Sequence, residues 1–133
     1  MILKVEGVWC KTRTEFDRLS KASAYDVSVS YFDVFNRLVK SDPYNKEPSN
    51  LIISLYIRKM INKAIKNLSE ERPLKMIYMF KDLNSETVGN FKSFISEITD
   101  ANIELDLVIV NRCDYPKKGV LSKFDNVRFI DND

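Results

Sequence analysis

The sequence predicts an α/β domain in three layers, built on a mostly parallel sheet of about five strands. Three observations carry that reading. Leu74 to Phe80 and Ile103 to Val110 are short runs rich in Ile, Val, Tyr and Phe, the pattern of strands buried on both faces. Between them, Ser85 to Asp100 repeats Val88, Phe91, Phe94, Ile95 and Ile98 at helical spacing. A strand, an amphipathic helix and a strand in that order make a crossover unit, and a crossover makes its two strands parallel.

The remaining elements are arranged around this unit. Ile2 to Val8 reads as a buried first strand ending at Gly7. Thr12 or Thr14 is an N-cap type residue, and Phe16 and Leu19 continue from it as a short helix. Val27, Val29 and Tyr31 alternate with Asp26, Ser28 and Ser30, which predicts a half-buried strand. Phe32, Phe35, Leu38 and Val39 then switch to helical spacing and stop before Pro43. The stretch Asp42 to Asn50, with its prolines and Asx and Ser residues, is the loop with the strongest turn chemistry.

Leu51 to Leu68 has the strongest helical stripe, Ile53, Ile57, Met60, Ile61, Ala64, Ile65 and Leu68. Arg58, Lys59, Lys63 and Lys66 lie mostly away from that stripe, as a solvated basic face or one that meets phosphates. A helix opens near Asn84 or Ser85, with Glu86 in the first turn where the helix dipole favours an acid. After the Ile103 to Val110 strand come a short helical piece near Gly119 to Phe124 and a last strand, Val127 to Ile130.

At 133 residues the chain is one domain, spanning 1–133. A 44% share of hydrophobic and 30% of charged residues is that of an ordinary globular protein. The net charge of +2 argues neither for nor against nucleic acid. No apolar run approaches the roughly 18 to 20 residues that span a bilayer, and Met1 to Glu6 lacks the charge-then-apolar order of a secretory signal. The expected location is cytoplasmic, in the host cytoplasm for a virus-encoded chain. Cys10 and Cys113 fall in different elements and are expected to be reduced thiols. Histidine is absent, which removes Ser-His-Asp and Cys-His catalysis and most zinc sites.

With the elements in order, a resemblance emerges over residues 70–131. Pro73 to Ser85 followed by Phe91 to Ile98 resembles the Walker B strand and helix of clamp-loader AAA+ domains, with Asp82 at the acidic position. Ile103 to Asn111 resembles their sensor 1 strand, with Asn111 as its polar residue. Cys113 to Phe129 resembles the segment leading to the last core strand, and Ser122-Lys123-Phe124 stands where the family has Ser-Arg-Cys. The resemblance implies a P-loop NTPase-like, Rossmannoid fold.

The family's nucleotide machinery is incomplete. Gly7-Val8-Trp9-Cys10-Lys11-Thr12 follows the first strand; Gly7 would give the turn, and Lys11 and Thr12 would be remnants of a phosphate site. Trp9 and Cys10 would fill the space of a triphosphate. Lys81 precedes Asp82 where an acidic pair would hold Mg²⁺, and Lys123 replaces the arginine finger. The resemblance therefore implies a non-hydrolysing part of the δ or δ′ type. Its partners would be proteins, other AAA+ subunits among them, met through the edge at Ser122 and Lys123; nucleic acid would be a weak second partner and a membrane none. No cofactor and no catalytic residue is expected.

Two alternatives stay open. Asp33, Asp82 and Asp114 near the carboxyl edge of the sheet would bind Mg²⁺ or Mn²⁺ in a nuclease of the PIN or flap type. Alternatively, Trp9, Tyr44 and Tyr115 would be contact residues of a small interaction protein encoded by a virus or mobile element. The abundance of Lys, Asn and Ile points to an AT-rich genome, viral or low-GC bacterial.

Overall fold

The computed structural model describes residues 3–22, 24–68, 71–80, 83–98, 102–110, 115–124 and 128–132. The chain is α/β with a parallel sheet. Its elements are β1 (Leu3–Cys10), α1 (Arg13–Ala22), β2 (Val27–Ser30), α2 (Tyr31–Ser41), α3 (Asn50–Lys66), β3 (Leu74–Met79), α4 (Ser85–Ser96), β4 (Ile103–Val110) and β5 (Arg128–Asn132). A 3-10 segment, Tyr115–Lys123, joins β4 to β5 where the sequence suggested a shorter helix.

The strands lie in the order β2-β3-β4-β1-β5, and every pairing is parallel. From β1 the chain crosses over β4 and β3 to reach β2; every later step returns in the opposite direction. Right-handed crossovers then demand that α1 cover one face and the later helices the other. The core follows that rule. Phe16 and Leu19 of α1 pack on Val8, Cys10, Ile77, Met79 and Val108. Val34, Ile57, Phe91 and Ile95, from α2, α3 and α4, pack with Val5, Met76, Tyr78, Leu105 and Leu107 on the opposite face. Neighbouring strand residues divide between the two faces because successive side chains alternate.

Two boundaries depart from the sequence reading. β1 does not end at Gly7: the glycine is buried within the strand, in register with Leu107 and Phe129, and Val8, Trp9 and Cys10 continue the pairing to Val110. A central position between β4 and β5 rewards pairing through Cys10 more than a turn at the glycine. β2 stops at Ser30, so Tyr31 opens a helix instead of closing a strand. The Ser30 hydroxyl accepts from the Asp33 amide and caps α2. Asn84 and Thr87 form a capping box that starts α4.

Candidate functional site

Because all strands run parallel, their carboxyl ends share one edge, where open α/β sheets bind ligands, above all where neighbouring strands lead to opposite faces. Here those neighbours are β1, which leads to α1, and β4, whose following segment buries Leu121 and Phe124 on the other face. The turn after β1 is only Lys11-Thr12. Thr12 Oγ1 accepts from the Glu15 amide at 3.3 Å, and the Lys11 amide donates to Glu15 Oε2 at 2.8 Å. The side chain of Glu15 thus takes up an amide a phosphate would need, and puts a negative charge at the positive end of α1. Lys11 extends over the Trp9 ring, with Nζ 6.0 Å from its centre.

Of the three residues read as a phosphate remnant, Gly7 gives no turn, while Lys11 and Thr12 form a helix cap. Trp9, read as lying just after the first strand, is a strand residue of β1. Asp82, Asn111 and Asp114 lie outside the described residues, as does the side chain of Tyr115. Ser122 and Lys123 are both exposed. The backbone carbonyl of Lys123 accepts from Lys92 Nζ on α4, and its side chain lies across Gly89.

Asp33 is the third carboxylate of the metal reading, and it is already paired. Arg13 reaches it with both terminal nitrogens, at 2.5 and 3.3 Å, while its Nε donates to Asp17 at 2.9 Å. The two carboxylates hold the Arg13 guanidinium above its ordinary pKa, Asp33 most of all. A metal at Asp33 would have to displace that cation. Among the described residues, no three His, Cys, Asp or Glu side chains are grouped to hold a metal ion.

The basic helix face divides. Arg58 turns toward α4, donates to Glu97 at 2.8 Å and lies over the Phe94 ring. Its long stem can reach across from the edge of the stripe, which residue spacing alone does not reveal. Lys59, Lys63 and Lys66 stay exposed. On the same outer face, earlier in α3, Leu51, Ile52 and Leu55 are 69%, 50% and 46% exposed.

Two concavities complete the surface. One, of about 250 Å³, opens past the end of β3 between the first turns of α3 and α4; Tyr31, Tyr78, Phe80, Phe91 and Phe94 form its aromatic wall. The spacing of aromatics at alternate strand positions and three apart on a helix was the available signal for it. The second, of about 270 Å³, lies on the α1 face, where Glu6 and Asp106 pair in register beside Glu104, Lys75 and Tyr25. The Tyr25 hydroxyl donates to Asp106. Burial raises the Asp106 pKa, opposed by that hydrogen bond and reinforced by Glu6 and Glu104. No helix among the described residues is long and apolar enough to cross a membrane. Compared with protein-family models, curated proteins and solved structures, the chain finds no match.

Proposed function

We propose that the chain is a three-layer, P-loop NTPase-like domain of the clamp-loader kind that hydrolyses nothing and works by protein contact, as a non-catalytic component of a DNA replication assembly. The observation that carries the protein-contact reading is the outer face of α3. Leu51, Ile52 and Leu55 expose three large aliphatic side chains on two adjacent turns, which in a domain this small is costly unless something covers them. The face continues into Lys59, Lys63 and Lys66, and α3 contains no acidic residue. The complementary partner surface is apolar and flanked by carboxylates, a protein surface rather than a phosphate backbone. The non-hydrolysing part of the reading rests on the two-residue turn after β1 and on Glu15, which caps it.

The test mixes the purified chain with the clamp-loader subunits of the organism that encodes it and measures complex mass by light scattering, with titration calorimetry for affinity. A stoichiometric complex is expected, weakened at least tenfold by Leu55→Glu. Weakening by Lys123→Glu instead would move the contact to the Ser122 edge and keep the reading. No complex, or one indifferent to both variants, overturns it.

A further inference from the structure

The cavity past β3 has a feature the protein-contact reading does not use. Tyr78 is 3% exposed and lines the cavity, yet no described residue makes a hydrogen bond to its hydroxyl. The hydroxyl borders the cavity, so the polar edge of a ligand can meet it in place of water. Burial, with the neighbouring Tyr31 hydroxyl adding to it, pushes the Tyr78 pKa far up, so the group stays a neutral phenol able to donate or accept.

The lining narrows the ligand. Asn50, Ser54 and Asn90 bring neutral amides and a hydroxyl to the lining, and Glu86 is the only charged residue in the described lining. Among the described lining residues no cation is present to pair with a phosphate or carboxylate. An organic cation fits poorly as well, because the rings turn to one another: Tyr78 stacks on Phe91 at 4.1 Å and Phe80 stands edge-on to both, leaving no open cage of ring faces. What remains is a small, flat, uncharged group with donors and acceptors on its rim. The volume of about 250 Å³ is below the roughly 300–1,000 Å³ of drug-sized sites, so it suits one ring system rather than a whole nucleotide.

We infer that this cavity is a binding site for a single nucleobase, held between the aromatic wall and the Asn50 and Asn90 amides, with the Tyr78 hydroxyl meeting its polar edge. Side-chain amides read base edges, and the edges of the packed rings take up a flat base by van der Waals contact. The base belongs either to a free nucleoside or to a single-stranded nucleic acid, which shares the chemistry and differs in its backbone.

The experiment titrates the full chain with adenosine, guanosine, cytidine and uridine, and with a short single-stranded oligonucleotide, following amide shifts by NMR. At least one nucleoside is expected to bind one-to-one, with shifts centred on 50–54 and 86–91. Tyr78→Phe, which removes an unpaired hydroxyl and leaves the packing, is expected to fold as well as the parent and to bind roughly three- to tenfold more weakly. An oligonucleotide that binds more tightly than any nucleoside assigns the base to a nucleic acid strand; equal or weaker binding assigns it to a free nucleoside. No shifts at millimolar nucleoside and oligonucleotide, or binding that Tyr78→Phe and Asn90→Ala both leave unchanged, overturns the inference. Either result leaves the α3 contact reading standing, since that face points away from the cavity.

Discussion

Arg13 in the first turn of α1 and Asp33 in the first turn of α2 form a two-pronged ion pair that ties the two helices together beside the end of β2. The helices lie on opposite faces of the sheet, so the pair spans its edge beyond the last residue of β2, where Arg13 also meets Ser30 Oγ at 3.5 Å. Side-chain exposures of 40% and 57% mean that water screens the pair. A double-mutant cycle of Arg13→Ala and Asp33→Ala, read by urea unfolding, is expected to give a coupling of about 0.5–1 kcal/mol that shrinks in high salt. Asp33→Asn is expected to leave any response to Mg²⁺ or Mn²⁺ unchanged. A metal-dependent stabilisation lost in that variant would restore the carboxylate-cluster reading.

Glu15 does for α1 what a phosphate does for the helix of a nucleotide-binding loop. Its carboxylate accepts the Lys11 amide and its own amide donates to Thr12, a reciprocal arrangement close to a capping box. Glu15→Ala is expected to cost about 1 kcal/mol. In the parent chain, ATP or ADP with Mg²⁺ is expected to leave the melting temperature unmoved, whereas a ligand at a hundred times its Kd would add about 2.7 kcal/mol. A nucleotide-dependent rise in the parent would reopen the loop after β1 as a working phosphate site.

What could be read from the sequence follows the range of the interaction. The β3–α4–β4 unit and the stripe of α3 were legible because periodicity is local: Ile53, Ile57 and Ile61 repeat within a few turns and all are buried. The end of β1 was not, because Gly7 reads as a turn until its neighbours β4 and β5 are known. Asp26 shows the same limit. In the sequence it is one polar position alternating with Val27 and Val29, yet it accepts Arg72 with both oxygens at 2.7 Å and the Lys75 amide at 2.8 Å, partners 46 and 49 residues away. The Tyr78 cavity needed α2, α3, β3 and α4 to meet; the spacing of its aromatics within β3 and α4 is a local signal that does not encode that meeting.

Two aspartates pull the pH dependence in opposite directions. Burial raises the folded-state pKa of Asp106 above its ordinary 3.8, so its contribution is fully present below that value and is lost as pH rises through the folded value. Arg72 lowers the pKa of Asp26, whose contribution is present above 3.8 and lost as pH falls through the depressed value. Asp106→Asn keeps an acceptor for Tyr25 and removes the charge. At neutral pH it is expected to stabilise the chain by under about 1 kcal/mol after solvent screening, a gain that vanishes in acid. Asp26→Asn is expected to cost about 1–2 kcal/mol at neutral pH and little in acid. Denaturation midpoints measured from acid to neutral pH check both, and curves with the opposite slopes would refute the assignment.

The two sides of α3 are expected to answer substitution differently. Ile53 and Ile57 face the core at 2% exposure each, so Ile53→Ala or Ile57→Ala leaves a cavity and should cost about 2–5 kcal/mol. Leu51 and Leu55, on the outer face, bury little in the isolated chain; Leu51→Ser and Leu55→Ser should change its stability by no more than about 0.5 kcal/mol. In the complex the order reverses. The outer leucines would then be desolvated against a partner, and their loss should lower affinity without lowering the melting temperature of the free chain. Urea unfolding of the four variants separates the cases, because an outer-face variant that destabilises the free chain as much as Ile57→Ala would show that Leu51 and Leu55 belong to the fold rather than to an interface.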